Sequence, residues 1–363
     1  MSPTSYDLSD FTQLELLGEG AYAKVYSASM EITRVQDSFS HEAVALKVLK
    51  REHAGDPSAL RDFDRERHIL SMLDNQEDEN FARLLGAGRT SDGRPFLVLE
   101  KLHRETLRER LPKLAKWSRR VEIGLQVAKA LSALTSRRVI HRDLKPTNIG
   151  FSRYGAAKLF DFGLARELGR DVPPRSSPSK AAAPSPLLAA LPPSSRSPAG
   201  AFLYDLTSQT GTVRFMAPEV ALAKPYNEKS EVYSFAILLY QVIEQKLPFA
   251  GKGPSFMEHN VFTEKAWRPS IDLSLWPFGL ASLVTRCWSH DLDSRPSMSE
   301  VAMALENALL AWEKCGSVEV RRKTPLDRFI EVVLGGICCC ASMPKDDERD
   351  DRNLLSQGSR NVV

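Results

Sequence analysis

The positions of apolar residues predict a chain that begins with strands and continues with helices. Between Phe11 and about Leu102, four short apolar runs are bounded by Gly, Pro or charged turns, which is typical of strands. These runs are FTQLELLGEG, AKVYSASM, AVALKVLK and PFLVLEKL. A helix is predicted between them, from about Pro57 to Leu73, because its larger side chains recur at helical spacing. They are Leu60, Phe63, Arg67, Leu70 and Leu73.

From Trp117 onward the pattern is helical. The run VEIGLQVAKALSALTSRR places four apolar residues on one face: Val121, Leu125, Ala128 and Leu131. The run EVYSFAILLYQVIEQ is apolar nearly all round, which favours a buried central helix. PFGLASLVTRCW and MSEVAMALENALLAWEKC predict two further amphipathic helices. The fold class is therefore α+β, with a β-rich part ahead of a helical part.

Two stretches lack the texture of a packed core. Residues 171–200 hold eight Pro and seven Ser, so we expect a disordered insertion that cannot offset the entropy of ordering. Ser177, Ser185 and Ser197 each precede proline, which would suit a regulatory loop, whereas a tolerated surface insertion is the alternative. Beyond about Gly316 the tail combines basic, apolar, Cys-rich and acidic segments.

Composition narrows the function classes. The net charge is +3, from 49 basic and 46 acidic residues, so no strong field favours nucleic acid as a partner. Five cysteines, three of them consecutive, do not form a disulfide framework, which predicts a reducing compartment. The sequence has neither a signal-peptide pattern at its start nor an uncharged apolar run of 18 residues. We expect a soluble cytoplasmic protein, at most tethered to a membrane.

The candidate chemistry is concentrated between His141 and Gly163. HRDLKPTN is followed by a short strand-like run and then DFG. Asp143 is a candidate base, Lys145 a candidate cation for a phosphoryl group, and Asn148 and Asp161 are oxygen ligands of the kind Mg²⁺ prefers. This order of residue types predicts phosphoryl transfer.

A second candidate site lies in the strand-rich part. Gly18 and Gly20, in LGEGAYAKVY, permit a tight turn whose N–H groups approach phosphate, although a plain hairpin turn is the alternative. A dinucleotide-binding turn is excluded because a strand follows the glycines where a helix is required. Lys47, in VALKVLK, resembles the lysine with which protein kinases hold phosphates, and the resemblance implies Glu66 as its partner. Asp62, one turn earlier, is the main acidic rival, and Asp64 should point away.

These motifs, with GTVRFMAPE downstream, resemble the catalytic core of eukaryotic protein kinases of the serine/threonine type. Trp267-Arg268-Pro269 and Cys287-Trp288 resemble the tyrosine-kinase-like group of these enzymes. The resemblance implies a bilobal fold, with a small β-rich N-lobe containing one main helix and a larger, mainly helical C-lobe. The expected kinase domain covers residues 11–312, divided near residue 102, with tails at 1–10 and 313–363.

The resemblance also implies the reaction and its site. ATP would donate its γ-phosphate, with Mg²⁺, to Ser or Thr hydroxyls of a protein substrate. Asp143 would act as the base or orient the acceptor, with Lys145 near the γ-phosphate and Asn148 and Asp161 on the metal. Leu99 would guard the pocket behind the adenine. The residues expected around ATP are Leu17, Gly18, Gly20, Val25, Ala45, Lys47, Glu66, Glu100, Leu102, Asn148 and Asp161.

Regulation is implied by Arg142, which precedes the catalytic aspartate and has no evident partner in the sequence. In related kinases a phosphate on the activation segment meets this arginine. Thr207, Ser208 and Thr210 are the candidates, with Ser208 at the most favourable distance from APE, and an upstream kinase could modify them. The resemblance also places Thr212 against Asp143 and Lys145, and pairs Glu219 with Arg295.

Two departures from the family pattern support an alternative. Ala23 replaces the third glycine of the loop, and Glu231 replaces an aspartate that accepts N–H bonds from the catalytic loop. Together with the atypical activation loop, they leave open the alternative of a pseudokinase or scaffold that binds nucleotide or partners with little turnover. A small-molecule phosphotransferase is a third reading, which the intact APE motif and peptide-cradling loop disfavour.

The tail offers one candidate modification site. Cys338–Cys340 adjoin an apolar run and follow the basic cluster Arg321–Lys323, a combination that suits S-acylation at an anionic membrane surface. This predicts peripheral membrane association, and a loosely packed C-terminal helix is the alternative.

Overall fold

The computed structural model describes residues 4–33, 39–73, 79–169, 203–204, 206–207 and 210–320. They fall into two compact units. The first consists of Met1–Leu107 with Thr147–Glu167, and the second of Arg108–Pro146 with Leu168–Val363. Three features singled out in the sequence lie outside the described residues: the Pro/Ser-rich stretch 171–200, Ser208 and Cys338–Cys340.

A six-stranded sheet dominates the first unit, with the strand order β1-β5-β6-β4-β3-β2. Its strands are β1 (Thr4–Asp7), β2 (Phe11–Glu19), β3 (Ala23–Thr33), β4 (Phe39–Leu49), β5 (Leu84–Arg89) and β6 (Pro95–Glu100). Alternate residues of β4 build one core, where Val44, Leu46 and Val48 pack with Phe96 and Val98 of β6. The four predicted strands are confirmed as β2, β3, β4 and β6.

The strand β1 comes from residues assigned above to the N-terminal tail, and it pairs in parallel with β5. Glycines in β5 permit this approach. A Cβ added at Gly86 would lie 2.3 Å from the Tyr6 ring, and one at Gly88 would lie 2.0 Å from the Tyr6 carbonyl oxygen. The alternation that reveals a half-buried strand is absent from a four-residue segment, so no periodicity predicted this strand.

The predicted helix is confirmed as α1 (Pro57–Leu73). Its buried face consists of Ala59, Phe63, Glu66, Ile69, Leu70 and Leu73, so Glu66 is the one carboxylate on that face. The first unit also contains an antiparallel hairpin of β7 (Ile149–Phe151) and β8 (Ala157–Leu159) and a two-residue strand, Arg166–Glu167.

The second unit is mainly helical. Its longer helices are α2 (Trp117–Ser136), α3 (Lys229–Glu244), α4 (Leu280–Cys287) and α5 (Met298–Val320). Shorter elements are the helical turns Leu107–Arg110, which crosses the unit boundary, Pro218–Ala221 and Pro254–Phe256, and the strand Val139–Ile140. The predicted face of α2 is buried, and α3 is buried nearly all round, as predicted for a central helix.

Within the described residues, no helix is both long and apolar enough to span a bilayer.

Candidate active site

One cluster of candidate site residues, in the first unit, is built around Lys47, near the C-terminal end of β4. Its Nζ lies 2.6 and 2.8 Å from the two carboxylate oxygens of Glu66, and 2.9 Å from Oδ1 of Asp161. All three N–H bonds of the ammonium therefore point at carboxylates. The predicted pairing of Lys47 with Glu66 is confirmed, whereas the contact with Asp161, 114 residues away, was missed. The resemblance, which names both residues as ATP ligands, could have predicted it.

The acidic rivals have other partners. Asp62 accepts from Arg65 in the same helix and from Arg166 at 3.3 Å. Asp64 lies 3.5 Å from Arg67. Glu66 is thus the helix carboxylate that reaches Lys47, because it alone is on the buried face of α1.

Burial and charge act in opposite directions on this cluster. Burial alone would lower the pKa of Lys47, but the negative charges of Glu66 and Asp161 hold it above its usual range. Burial raises the pKa of Glu66, which the nearby ammonium opposes. Because Asp161 keeps 46% of its side chain exposed against 4% for Glu66, it is the carboxylate of the pair that a ligand could reach.

The hairpin of β7 and β8 places the two candidate metal ligands at one end. Asn148 precedes β7 directly, Asp161 follows β8 by two residues, and the Phe160 N–H donates to the Asn148 carbonyl oxygen at 3.1 Å. Asp161 also adopts a φ of 64°, a left-handed conformation that turns the chain sharply after the strand. A carboxylate and an amide oxygen at one hairpin end form a donor set that fits Mg²⁺.

The expected adenine site follows from strand register. Val25 pairs with Lys47, and Ala45 pairs with Leu99, so these four residues lie on one face of the sheet. Glu100 is partly occupied, since its carboxylate accepts from Lys158 at 2.7 Å and its N–H donates to the Arg83 carbonyl oxygen at 2.9 Å. Of its backbone groups, the carbonyl oxygen is the remaining candidate for a base.

The glycine-rich segment forms a hairpin turn. Gly18, near the end of β2, pairs with Val25 of β3. The Gly20 N–H donates to the Ala23 carbonyl oxygen at 2.9 Å. Leu17 leaves 45% of its surface exposed beside this turn. Leu102 packs on the neighbouring hairpin, where a Cβ at Gly150 would lie 2.5 Å from its Cδ1.

A second cluster of candidate site residues, in the second unit, is centred on Asp143. Its Oδ2 accepts from the Lys145 ammonium at 2.5 Å. Its Oδ1 accepts from both the N–H and the hydroxyl of Thr212, each at 3.1 Å. The expected contact of Thr212 with the aspartate is confirmed, and the lysine reaches the other oxygen of the same carboxylate.

A glycine fixes the segment that carries Thr212. Gly211 has a φ of 96°, and a Cβ there would lie 2.4 Å from the Arg142 carbonyl oxygen. A side chain at position 211 would push this segment away from the catalytic loop. The close approach of Gly211 to Arg142 therefore requires glycine.

Arg142 has the partners that the sequence did not reveal. Its Nη2 donates to the Thr207 carbonyl oxygen at 2.7 Å and to the Thr210 hydroxyl at 2.8 Å. Tyr226, which no sequence signal identified, donates its hydroxyl to the same carbonyl at 3.2 Å. Two of the three candidate phosphorylation sites therefore lie next to the arginine.

Glu231 spans the distance expected of the shorter aspartate. Its Oε1 accepts from the N–H groups of His141 at 2.5 Å and Arg142 at 2.8 Å. Burial raises the pKa of this carboxyl to about 7, although both hydrogen bonds and the Arg142 charge act to lower it.

The expected pair of Glu219 and Arg295 is also present as a buried bidentate contact of 2.6 and 2.8 Å.

Comparison with known proteins identifies the family to which the chain belongs. The model of the protein kinase domain matches residues 11–305 of the chain. The chain belongs to the protein kinase family. The bilobal α+β kinase fold expected from the motifs is thereby confirmed.

Several kinases are similar to this one along most of its length. Serine/threonine-protein kinase STY17 of Arabidopsis thaliana is 27% identical over 75% of this chain and 41% of its own length. Serine/threonine-protein kinase STY46 of the same plant is 28% identical, over 80% and 43%. Dual specificity protein kinase shkE of Dictyostelium discoideum is 29% identical, over 81% and 36%. The chain thus spans less than half the length of these three relatives.

Proposed function

We propose that this kinase transfers the γ-phosphate of ATP to serine and threonine hydroxyls of protein substrates. The bonding of Asp143 carries the proposal. A carboxylate that accepts from a lysine ammonium at 2.5 Å and from the Thr212 hydroxyl at 3.1 Å is fixed in orientation. With side-chain exposures of 10% and 26%, Asp143 and Lys145 remain reachable at their tips. A fixed base beside a cation is what hydroxyl phosphorylation needs.

In this mechanism Asp143 orients the acceptor hydroxyl and takes its proton. The hydroxyl oxygen bonds to the γ-phosphorus while the bond from that phosphorus to the ADP oxygen breaks. Lys145 offsets the negative charge on the moving group. The Thr212 hydroxyl donates to the same carboxylate, so it sets the direction in which Asp143 faces.

Lys47 would hold the α- and β-phosphates, with Glu66 keeping the ammonium in place. Asn148 and Asp161 would hold Mg²⁺, which when bound neutralises charge on the phosphate oxygens. Because all three ammonium protons already point at carboxylates, we expect the Asp161 contact to yield to phosphate. The adenine ring of ATP would lie among Leu17, Gly18, Gly20, Val25, Ala45, Glu100 and Leu102.

The proposal is tested by transfer of radiolabelled phosphate from ATP to a generic protein substrate. Asp143→Ala should abolish labelling, whereas Glu258→Ala, a change at an exposed carboxylate in the second unit, should leave it unchanged. Equal labelling by wild type and Asp143→Ala would overturn the enzyme reading and favour a nucleotide-binding pseudokinase.

Acceptor class is decided by phosphoamino-acid analysis of the labelled product. Phosphoserine and phosphothreonine are expected. Dual specificity kinases shkE and shkC, both of Dictyostelium discoideum, are among the similar proteins, so dual specificity is the second candidate. Phosphotyrosine in the product would support it, and label confined to a small molecule would favour the phosphotransferase alternative.

We further propose that an upstream kinase regulates this one by phosphorylating Thr207, Ser208 or Thr210. The guanidinium of Arg142 supports this, since it lies 2.8 Å from the Thr210 hydroxyl and would pair with a phosphate there. The kinase domain is assigned to residues 11–312, with 171–200 as an insertion in its activation segment.

For location we propose the cytoplasm, with membrane association through S-acylation of Cys338–Cys340. Hydroxylamine-sensitive lipid labelling in cells tests this. The label should disappear when all three cysteines are changed to serine and persist when Cys287, buried in the core, is changed. An unlabelled wild-type protein would remove the membrane proposal.

A further inference from the structure

The glycine-rich turn between β2 and β3, residues 20–22, contacts a second segment of the first unit. That segment, residues 50–53, follows β4 directly and includes the helical turn Arg51–His53. The Lys50 N–H donates to the Tyr22 carbonyl oxygen at 2.9 Å. This bond continues the antiparallel ladder of β3 and β4 by one position beyond the pair of Ala23 and Leu49. The backbone at the end of the turn is therefore held by Lys50.

Two side-chain contacts join the same two segments. The Lys50 ammonium lies 2.6 Å from Oε1 of Glu19, the last residue of β2. The rings of Tyr22 and His53 pack with their centroids 5.0 Å apart and their planes at 60°. A backbone hydrogen bond, an ion pair and a ring contact thus bind both sides of the turn to residues 50–53.

The ion pair is more than a loose surface contact, because its cation is largely covered. Lys50 keeps 12% of its side chain exposed, against 44% for Glu19. The hydrogen bond from Lys50 lowers the pKa of Glu19 below its ordinary value, so this carboxylate is charged at neutral pH. Lys24 approaches the other oxygen of Glu19 only to 3.4 Å and is itself 40% exposed. Lys50 is therefore the cation that restrains Glu19.

The same end of β4 also carries Lys47, three residues before Lys50. The Lys47 ammonium is held by both carboxylate oxygens of Glu66, at 2.6 and 2.8 Å. By contrast, no atom of the described residues lies within 4 Å of a Cβ built at Gly18, so close packing does not hold the glycine-rich strand at that point. The contacts with Lys50 therefore set the place of the turn relative to Lys47.

We propose that Lys50 is a positioning residue for ATP, which it serves by holding Glu19 and Tyr22 so that the glycine-rich turn stays at a fixed distance from Lys47. The inference rests on the proposed function, in which N–H groups of this turn approach the phosphates. Donors that are fixed in advance lose less conformational freedom when a ligand binds, so the restraint raises the affinity for ATP. The ring contact of Tyr22 with His53 supports the same restraint.

The first test measures the restraint without nucleotide or activity. In hydrogen exchange of the full chain, Lys50→Met removes the charge and keeps an unbranched side chain. The amides of residues 17–26 should then lose protection on the order of threefold. Lys24→Met, which removes the more distant cation beside Glu19, is the matched control and should keep wild-type protection. Equal protection in wild type and Lys50→Met would overturn the proposal.

The second test asks whether the restraint serves ATP. Calorimetric Kd and steady-state KM for ATP should both rise about threefold to fivefold in Lys50→Met, with kcat and the KM for protein substrate unchanged. High salt should narrow this difference, because it screens the ion pair. An unchanged Kd for ATP in Lys50→Met would overturn the inference alone. A wild-type chain that binds no ATP would overturn the proposed function as well.

A third comparison tests the pairing of the two residues. Glu19→Gln removes the charge from the other side at constant size, so it should raise the Kd for ATP about as much as Lys50→Met. The double variant should bind ATP no more weakly than Lys50→Met, because the pair is already lost. Additive losses would show that the two residues act separately and would overturn the proposal. Glu19→Gln also serves as the test if Lys50→Met fails to fold.

Discussion

Lys47 and Arg142, one cation in each unit, are bonded in contrasting ways. The Lys47 ammonium has three carboxylate bonds, two from Glu66 and one from Asp161. The Nη2 group of Arg142 instead donates to two neutral oxygens, on Thr207 and Thr210. The Lys47 ammonium thus contacts negatively charged carboxylates, whereas Nη2 of Arg142 contacts a neutral carbonyl oxygen and a neutral hydroxyl oxygen. Opposite charges therefore already balance the Lys47 ammonium, whereas the Nη2 group of Arg142 is bonded to neutral oxygens and keeps a charge with which an anion would pair.

The largest effect is expected where the bonding is complete. Lys47→Met leaves two carboxylates facing each other, with Glu66 buried. Removal of one partner from a buried pair costs about 3 kcal/mol of unfolding free energy, and phosphate transfer should fall on the order of 10³-fold. Urea unfolding and transfer assays measure these changes. Lys24→Met, at an exposed pair with Glu19, is the control and should shift stability by less than about 1 kcal/mol.

The next effect concerns the carboxylate behind Arg142. The pKa of Glu231 rises from 4.5 to about 7 on folding, so between these values the native state binds more protons than the unfolded state. Stability from this group is therefore present below pH 4.5 and lost as pH rises through 7, by about 2 kcal/mol between pH 5.5 and 8.

Glu231→Gln should remove that slope. The measurement is the free energy of urea unfolding of both proteins across this pH range. Parallel pH profiles for wild type and Glu231→Gln would contradict the assigned direction of the shift.

A smaller effect should separate the two threonines beside Arg142. Thr210 contacts the guanidinium through its hydroxyl, Thr207 through its backbone carbonyl oxygen. After treatment with an activating kinase, Thr210→Ala should therefore lose about tenfold in rate, the worth of roughly one charge-assisted contact. Thr207→Ala should lose less. Full activity in a variant with alanine at Thr207, Ser208 and Thr210 would remove the regulatory proposal.

The smallest effect is expected at the acidic rival in α1. Asp62 is engaged by Arg65 and Arg166 at a partly exposed site, so Asp62→Ala should cost about 0.5 kcal/mol and leave the transfer rate unchanged. Glu66→Ala is the matched change on the same helix. A loss of rate in Asp62→Ala as large as that in Glu66→Ala would mean that the lysine uses both carboxylates.

The sequence predicted the features that depend on residues close together in the chain or on family motifs. The bounds of α1 and the buried face of α2 follow from helical periodicity, and the pair of Lys47 and Glu66 was implied by the family resemblance. Some contacts between residues that are far apart in the chain, or that lie outside any motif, were not predicted. The contact of Lys47 with Asp161 joins residues far apart in the chain, and the bond of Tyr226 to Thr207 lies outside any motif.

The hydrogen bonds of Glu231 could not be predicted from the sequence either. The sequence identified the substitution, and the structure assigns one oxygen to two N–H groups and leaves the other buried without a partner among the described residues. An extra methylene decides which oxygen faces which neighbour, and that geometry is set by packing around α3, which periodicity does not describe.

The short strand β1 has a consequence for how the first unit behaves in isolation. The family match begins at Phe11, but the sheet begins seven residues earlier, where Thr4–Asp7 cover the outer edge of β5. A fragment cut at the family boundary would bare the backbone N–H and C=O groups of that edge, a known template for pairing with other chains. Four residues outside the recognised domain thus pair with the backbone of β5 and make a short strand, β1, the edge of the sheet at that side.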